Sequence, residues 1–225
     1  MNERLFQIWQ NKLEIAKQNS RDRNHFPNLL IEIAAQHPLK DGLVPGEEFE
    51  ERLRMGAQLY RSFHASFERD SIRNGSVHIY VPGSRHRSGQ QEDLVSLSEA
   101  GRKYLIRMGI PEEDIFGEAM NLNYKGEDGV YNSSDECFVA ASIFADGAYR
   151  ELHCVCAPEQ VMRKALSYIA FGVLPRMHCA NYEDGSHSYI WEAFMAVPAL
   201  LEDPLALQGQ SEQAIKLRAE RNPDS

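Results

Sequence analysis

Short apolar segments alternate along this chain with longer segments whose apolar residues recur every three or four positions. The first pattern predicts β-strands and the second predicts amphipathic helices. The predicted strands are 28–35, 76–84, 115–120, 151–157 and 176–182, and those expected at the centre of the sheet are 29–34, 76–81 and 151–156. Strands that are joined through helices lie parallel in one sheet, with right-handed crossovers that cover both of its faces. The sequence therefore predicts an α/β domain with a mainly parallel sheet of about five strands.

The segments with helical periodicity are 3–19, 47–68, 96–109, 133–145, 159–172 and 188–201. Ser133 or Ser134 is predicted to cap the fourth of these helices, and Gly109 and Gly172 are predicted to end the third and the fifth. No low-complexity linker divides the 225 residues, so we expect one domain over residues 1–225. Its predicted parts are an accessory helix over 1–25, an α/β core over 26–182, and a helical extension with a polar tail over 183–225.

The charge balance of the chain argues against nucleic acid as a partner. The 24 basic and 33 acidic residues give a formal net charge of −9, which repels a phosphate backbone, and the basic residues are not gathered in one segment. Charges interrupt the apolar stretches near the N-terminus, so neither a signal peptide nor a membrane span is predicted. We expect a cytoplasmic protein that acts on a small molecule and contacts no membrane, with its oligomeric state left open.

The four cysteines do not indicate a disulfide framework or a metal site. Cys154 and Cys156 share one face of a predicted strand, where a cysteine is usually a small buried apolar side chain. A zinc site would need two more donors, and His153, His178 and Cys179 stand at no recognised spacing for one. No local motif pairs a cysteine with an activating histidine either. We therefore predict no metal and no thiol nucleophile.

In a parallel sheet, ligands bind beyond the carboxyl ends of the strands, so the loops after residues 35, 81, 119 and 157 are predicted to contain the ligand-binding residues. The loop after the second predicted strand contains Gly83, Ser84 and Arg85. Gly83 permits a close approach of the backbone, and the two polar residues can meet an anion, although the spacing fits neither a Walker sequence nor a dinucleotide-binding glycine motif. A solvated turn is the alternative interpretation.

The starts of two predicted helices add further polar groups to these loops. Ser134 can cap its helix or bond to a ligand, and Glu136 lies in the first turn, where the helix dipole favours a carboxylate. Arg163 falls in the first turn of the helix that follows strand 151–157, where the same dipole disfavours a cation. We expect its guanidinium to meet an anion, which is Glu159, Glu136, or a carboxylate or phosphate of a ligand.

The order and spacing of several short motifs resemble those of the YdcF-like proteins. The matching residues lie within about 29–180 and are Arg52, Leu53, Gly83, Glu99, Gly109, Ile110, Pro111, Ile115, Ser134, Glu136 and Arg163. The resemblance implies a Rossmann-like three-layer domain, the soluble branch of the family without a membrane anchor, and, in at least one branch, binding of S-adenosylmethionine. Three positions depart from the family pattern: its threonine is Ser134, its asparagine is Cys137, and its histidine is Gln160, which keeps hydrogen bonding but has no acid–base capacity.

Two functions fit these residues, and the sequence does not separate them. One is a transferase that uses S-adenosylmethionine or another nucleotide-like ligand, and the other is a non-catalytic small-molecule-binding or envelope-associated module. A hydrolase or ligase-like enzyme with Glu99 and Glu136 as acid–base carboxylates is a less favoured alternative. The residues predicted to line one ligand-binding cleft are Gln36, Gly83, Ser84, Arg85, Ser134, Glu136, Gln160 and Arg163.

Overall fold

A computed structural model describes residues 3–36, 39–69, 75–85, 87–88, 91–126, 129–130 and 132–180. The described helices are α1 (Glu3–Asp22), α2 (Glu47–Arg69), α3 (Leu97–Arg107), α4 (Glu118–Lys125), α5 (Ser133–Asp146) and α6 (Val161–Ala170). None of these six helices is both long enough and apolar enough to cross a membrane. The predicted helix 188–201, and the extension 183–225 to which it belongs, lie outside the described residues.

The described strands are β1 (Asn28–Ile33), β2 (Val77–Tyr80), β3 (Arg87–Ser88), β4 (Gln91–Glu92), β5 (Ile115–Phe116), β6 (Tyr149–Cys156) and β7 (Arg176–Cys179). Five of them form one sheet in the order β5-β2-β1-β6-β7, and every neighbouring pair in it is parallel. The short strands β3 and β4 pair separately as an antiparallel hairpin. The predicted parallel α/β sheet is confirmed, with β2, β1 and β6 at its centre.

Helices cover both faces of the sheet, as the side-chain alternation of β1 requires. Ile31 and Ile33 belong to an apolar cluster that includes residues of α2 and α3. Leu30 and Ala34 belong to a second cluster, which includes residues of α5 and Tyr168 of α6. This arrangement is a three-layer, Rossmann-like fold.

One predicted strand is wrong beyond its first two residues. Residues 115–120 were expected to be extended, but β5 stops at Phe116 and α4 begins at Glu118 after Gly117. Only Ile115 and Phe116 pair with β2. An apolar run this short does not distinguish a strand from the first turn of a helix. In the helical form, Asn121 Oδ1 of α4 accepts a hydrogen bond from the Tyr80 hydroxyl.

The order of the strands creates a switch point between β1 and β6. From β1 the chain builds outward to β2 and β5 on one side, and it then returns to add β6 and β7 on the other side. The connections that leave β1 and β6 therefore diverge, and a crevice forms at the carboxyl ends of these two strands. Ligands of open α/β sheets bind in this kind of crevice, so the residues just beyond Ile33 and Cys156 are the candidates for a ligand-binding site.

Candidate functional site

A buried ionic cluster lies on the α5 and α6 side of this crevice. The Nζ of Lys164 is 2.6 Å from Glu32 Oε1 and 2.7 Å from Glu136 Oε2. The Tyr168 hydroxyl donates to the other oxygen of Glu32 at 3.0 Å. Glu32, Lys164 and Tyr168 have no exposed surface, and Glu136 is 7% exposed, so Glu136 is the member of the cluster nearest to solvent.

The cluster holds two carboxylates against one ammonium group. Burial lowers the pKa of Lys164, but the carboxylates of Glu136 and Glu32 outweigh that effect, and the pKa lies well above its usual value. Burial, followed by the charge of Glu32, raises the pKa of Tyr168 well above its usual value, so that this hydroxyl remains a neutral donor. Two carboxyl groups share one ammonium group here, which suits a ligand group that is cationic or donates hydrogen bonds to Glu136.

The cluster forms because one polar position of β1 faces one polar stripe of α6. Glu32 interrupts the apolar run of β1 on the α5 and α6 side. Gln160, Lys164 and Tyr168 are spaced four residues apart, which places them on one face of a helix. Gln160 belongs to the short 3-10 turn Pro158–Gln160, which directly follows β6 and leads into α6. The stripe therefore runs from the cluster toward the carboxyl edge of the sheet.

Gln160 brings an unsatisfied acceptor to that edge. Its side chain is 4% exposed, and its Oε1 has no hydrogen-bond partner within the part of the chain that the structure describes. A buried carbonyl oxygen that accepts no hydrogen bond costs about 1–3 kcal/mol. The described residues supply no donor to this atom, and its position after β6 is where a ligand of an open α/β sheet would lie.

The segment after β1 is held by a fully buried arginine. Arg52 of α2 donates from Nη1 to the backbone oxygens of Ala34 and Ala35, each at 3.2 Å, and from Nη2 to Gln36 Oε1 at 3.3 Å. Its Nη2 also pairs with Glu48, one turn earlier on the same helix. The sequence-predicted site residue Gln36 thus lies at the rim of the crevice, fixed by an arginine that the spacing alone did not assign to the site.

The loop after β2 is packed closely against the neighbouring elements. Gly83 has φ +105°, and a Cβ at this position would lie 2.8 Å from Leu97 Cβ and 3.0 Å from Ala35 Cβ, so only glycine fits. Val130 N donates to Ser84 Oγ at 2.7 Å, and Ser84 N donates to Val130 O at 2.9 Å. These bonds join the end of β2 to the segment just before α5.

Two other predicted residues of these loops have structural contacts of their own. The Nε of Arg85 donates to Asp93 O at 2.5 Å, which ties the loop after β2 to the segment that leads into α3. At α5, the predicted serine cap is wrong. Asn132 caps the helix instead, and its Oδ1 accepts from Ser134 N at 2.9 Å and from Asp135 N at 3.0 Å. An asparagine one residue before the serines provides the same acceptor with a geometry that reaches both amides.

Arg163 and Glu99 lie on helices of opposite faces of the sheet. Arg163 is the third residue of α6, as expected, and the next residue along the chain, Lys164, pairs with Glu136. The anion that Arg163 meets stays a prediction. Glu99 lies on α3 and pairs with Lys103 at 2.6 Å, on the exposed side of that helix. The two candidate acid–base carboxylates, Glu99 and Glu136, are therefore engaged by different lysines on different helical layers.

Glu32 and Lys164 were missed by the sequence analysis. The signal for Glu32 was present, because it is the one carboxylate inside the apolar run of β1. The signal for Lys164 was only its position four residues after Gln160. This spacing places the two residues on one face of a helix, but the sequence does not show that this face is buried. The prediction that Cys154 and Cys156 are buried side chains on one face of a strand is confirmed.

Comparison with protein-family models, with curated proteins and with solved structures finds no match to this chain. In the ranges that the structure describes, no group of three or more His, Cys, Asp or Glu side chains is arranged to hold a metal ion. The features that indicate the chemistry of the site are the switch point, the ionic cluster and the carbonyl oxygen of Gln160.

Proposed function

We propose that this chain is a small-molecule-binding α/β protein whose ligand lies over the carboxyl ends of β1 and β6. The proposed ligand is S-adenosylmethionine or another nucleotide-like compound that carries an anionic group. The resemblance to YdcF-like proteins, proposed on the motif order described above, leads to the same ligand class. A soluble, cytoplasmic setting belongs to the proposal too.

The observation that carries this proposal is the unsatisfied Oε1 of Gln160 at the switch point. The ionic cluster adds to it, because Glu136, which pairs with Lys164 through Oε2, is the member of the cluster nearest to solvent. An ammonium group or a ribose hydroxyl suits that carboxylate, and an amide or amino N–H suits Gln160. Arg163, one residue before Lys164, is assigned to the anionic group of the ligand.

The proposal concerns binding first and transfer chemistry second. Gln160 replaces the histidine of the family pattern and has no acid–base capacity, which favours binding over proton transfer at that position. A transferase that uses S-adenosylmethionine nevertheless needs only orientation of the donor, so this activity is retained as part of the proposal. The hydrolase or ligase-like alternative is not retained, because Glu99 lies on α3 and Glu136 on α5, and these helices cover opposite faces of the sheet.

Thermal unfolding with and without S-adenosylmethionine tests the proposal. A ligand that binds only the folded state stabilises it by RT ln(1 + [L]/Kd), about 2.7 kcal/mol at a hundredfold excess over Kd. We expect the wild type to show this rise in Tm, and Gln160→Leu and Arg163→Ala to lose most of it. Arg54→Ala, which removes an exposed arginine of α2, is the matched control and should keep the full rise.

The same measurement separates a ligand contact from a structural role. If Arg163→Ala lowers the Tm of the unliganded protein and leaves the ligand-induced rise intact, Arg163 supports the fold and not the ligand. If the wild type shows no rise with S-adenosylmethionine, adenosine nucleotides or their analogues, the proposed ligand class is wrong.

A further inference from the structure

A cavity of about 210 Å³ opens at the opposite, amino edge of the sheet, where β6 and β7 begin. The polar residues that line it are Asn19, Ser20, Asn24, Arg150, Glu151 and Arg176. They come from the end of α1 and the residues just after it, from the start of β6, and from the start of β7. The cavity is smaller than the roughly 300–1,000 Å³ of sites for drug-sized ligands, so it suits a small molecule or ion.

The α1 wall of this cavity is fixed by hydrogen bonds to the rest of the fold. Asn19 Nδ2 donates to Gly172 O at 2.8 Å, in the connection between α6 and β7. Just after α1, Arg23 donates from Nη1 to Phe144 O at 2.7 Å and from Nη2 to Ala145 O at 2.9 Å, near the end of α5. The cavity is therefore formed before any ligand arrives, which reduces the cost of binding.

Two arginines of the cavity share one carboxylate, and only one of them bonds to it. Arg176 donates to Glu151 from Nε at 2.8 Å and from Nη2 at 3.2 Å. Arg150 Nε lies 3.7 Å from Glu151 Oε1, too far for a hydrogen bond. This Nε is buried and has no hydrogen-bond partner among the described residues. The charged residues that line the cavity, Arg150, Arg176 and Glu151, thus carry one more positive than negative charge, and the Nε of Arg150 bonds to no acceptor of the described ranges.

The helix dipoles offer another explanation for a cation at this edge. The carboxyl ends of α5 and α6 lie here, and a nearby positive charge stabilises them. However, other side chains already serve these ends: Arg23 donates to Phe144 O and Ala145 O, and Asn19 donates to Gly172 O. Arg150 donates to none of these three carbonyls, so capping of the helix ends does not account for its position.

We propose that this cavity binds a small oxyanion, the phosphate or carboxylate group of a metabolite, with Arg150 as its main donor. A guanidinium matches the paired oxygens of either group, and the side chains of Ser20 and Asn24 add hydrogen bonds. On a chain with a formal net charge of −9, the local positive charge makes this cavity selective for anions. The site lies at the other edge of the sheet from the crevice and does not depend on the function proposed there.

Line broadening in nuclear magnetic resonance tests this proposal with two probes. Inorganic phosphate is observed by its ³¹P signal and acetate by a ¹³C label, each titrated with wild-type protein, Arg150→Gln and Arg54→Gln. Arg54 is an exposed arginine of α2, far along the chain from the cavity. We expect the wild type and Arg54→Gln to broaden the signal of at least one probe in a saturable way. Arg150→Gln should raise the Kd at least tenfold, and the probe that binds more tightly identifies the oxyanion.

Three results would overturn the proposal: no broadening of either probe by the wild type, a broadening that does not saturate, or an unchanged Kd in Arg150→Gln. If Arg150→Gln does not fold, the double variant Ser20→Ala, Asn24→Ala takes its place, since it removes no charge. It should weaken binding severalfold, and an unchanged Kd would count against the site. Titration with S-adenosylmethionine should give the same result in Arg150→Gln as in the wild type, which keeps this test separate from that of the crevice.

Discussion

The two faces of β1 are packed by different chemistry. On the α2 and α3 face, Ile31 and Ile33 are fully buried in an apolar cluster. On the α5 and α6 face, Glu32 is equally buried but meets Lys164 and Tyr168. Burial of aliphatic side chains stabilises the first face directly, whereas a buried ion pair gains little once the cost of desolvation is subtracted.

The α5 and α6 face is therefore less stable than an apolar packing of the same volume would be. Replacement of a buried ion pair by apolar residues of similar volume is often neutral or stabilising by about 1–4 kcal/mol. The α5 and α6 face does not take this simpler solution, and its charges lie beneath the switch point, next to Glu136 and Gln160. We interpret the α2 and α3 face as the structural one and the α5 and α6 face as the one that shapes the site.

The largest effect is expected from removal of the buried ammonium group. Lys164→Met leaves two carboxylates without a cation in the interior, and we expect the free energy of unfolding to fall by about 3–5 kcal/mol. Urea denaturation followed by circular dichroism measures it. Lys103→Met is the control, because its pair with Glu99 is exposed and worth about 0–1 kcal/mol. Similar losses of unfolding free energy in both variants would mean that the buried ionic cluster contributes no more to stability than an exposed ion pair.

Acid should weaken the α2 and α3 face through His153. This side chain is 3% exposed and packs against Phe63 of α2, with the two ring centroids 4.5 Å apart and the ring planes tilted by 53°. Burial, and then the neighbouring charges of His178, Arg176 and Arg150, lower the pKa of His153 to about 3. Glu151 lies 3.3 Å from its Nε2, but Arg176 already bonds to that carboxylate, so burial determines the protonation state.

The sign of the pH effect follows from this lowered pKa. The unfolded chain takes up a proton at His153 below pH 6.5, and the folded chain does so only near pH 3, so stability falls as the pH drops between these values. The slope from this group is at most about 1.4 kcal/mol per pH unit. His153→Gln should flatten the dependence between pH 6.5 and pH 5, whereas His25→Gln, which alters an exposed histidine, should not. An unchanged slope in His153→Gln would contradict the assignment.

A smaller effect is expected from overpacking the apolar face. A Cβ on Gly56 of α2 would overlap the terminal methyl group of Ile33. Overpacking costs about 1–3 kcal/mol and the better helix propensity of alanine returns up to about 1 kcal/mol, so Gly56→Ala should lose about 1 kcal/mol net. Ile33→Val removes the overlapping methyl group, and the double variant should be more stable than the sum of the two single changes predicts. Strict additivity would show that these positions do not touch.

The sequence predicted the sheet well because strand and helix periodicities are local properties. The stretches 28–35 and 151–157 read as buried strands from composition alone, and the structure places β1 and β6 there. The α4 helix was missed because the apolar run before it was too short to assign. For the site, the loops were predicted from the rule for parallel sheets, and Glu136 and Gln160 were among the residues named.

The ionic cluster could not be predicted in the same way. Glu32 and Lys164 are 132 residues apart, and their contact depends on the register of β1 against β6 and on which face of α6 turns inward. A lysine on a helix is normally an exposed residue, so nothing local distinguishes Lys164 from the other lysines. Arg163 was predicted to be a site residue because a cation near the start of a helix is disfavoured by the helix dipole. Nothing in the sequence indicated that the next residue, Lys164, makes the buried contacts with Glu32 and Glu136.

We propose that the crevice above the charged face binds a nucleotide-like ligand through Glu136. Isothermal titration of S-adenosylmethionine into the wild type, Glu136→Gln and Glu99→Gln tests it most directly. The two variants remove the same charge, one beside the crevice and one on the exposed side of α3. We predict one binding site in the wild type, the same Kd in Glu99→Gln, and a Kd at least tenfold higher in Glu136→Gln. Absence of binding heat in the wild type, or equal Kd values in all three proteins, would show that the crevice does not bind this ligand through Glu136.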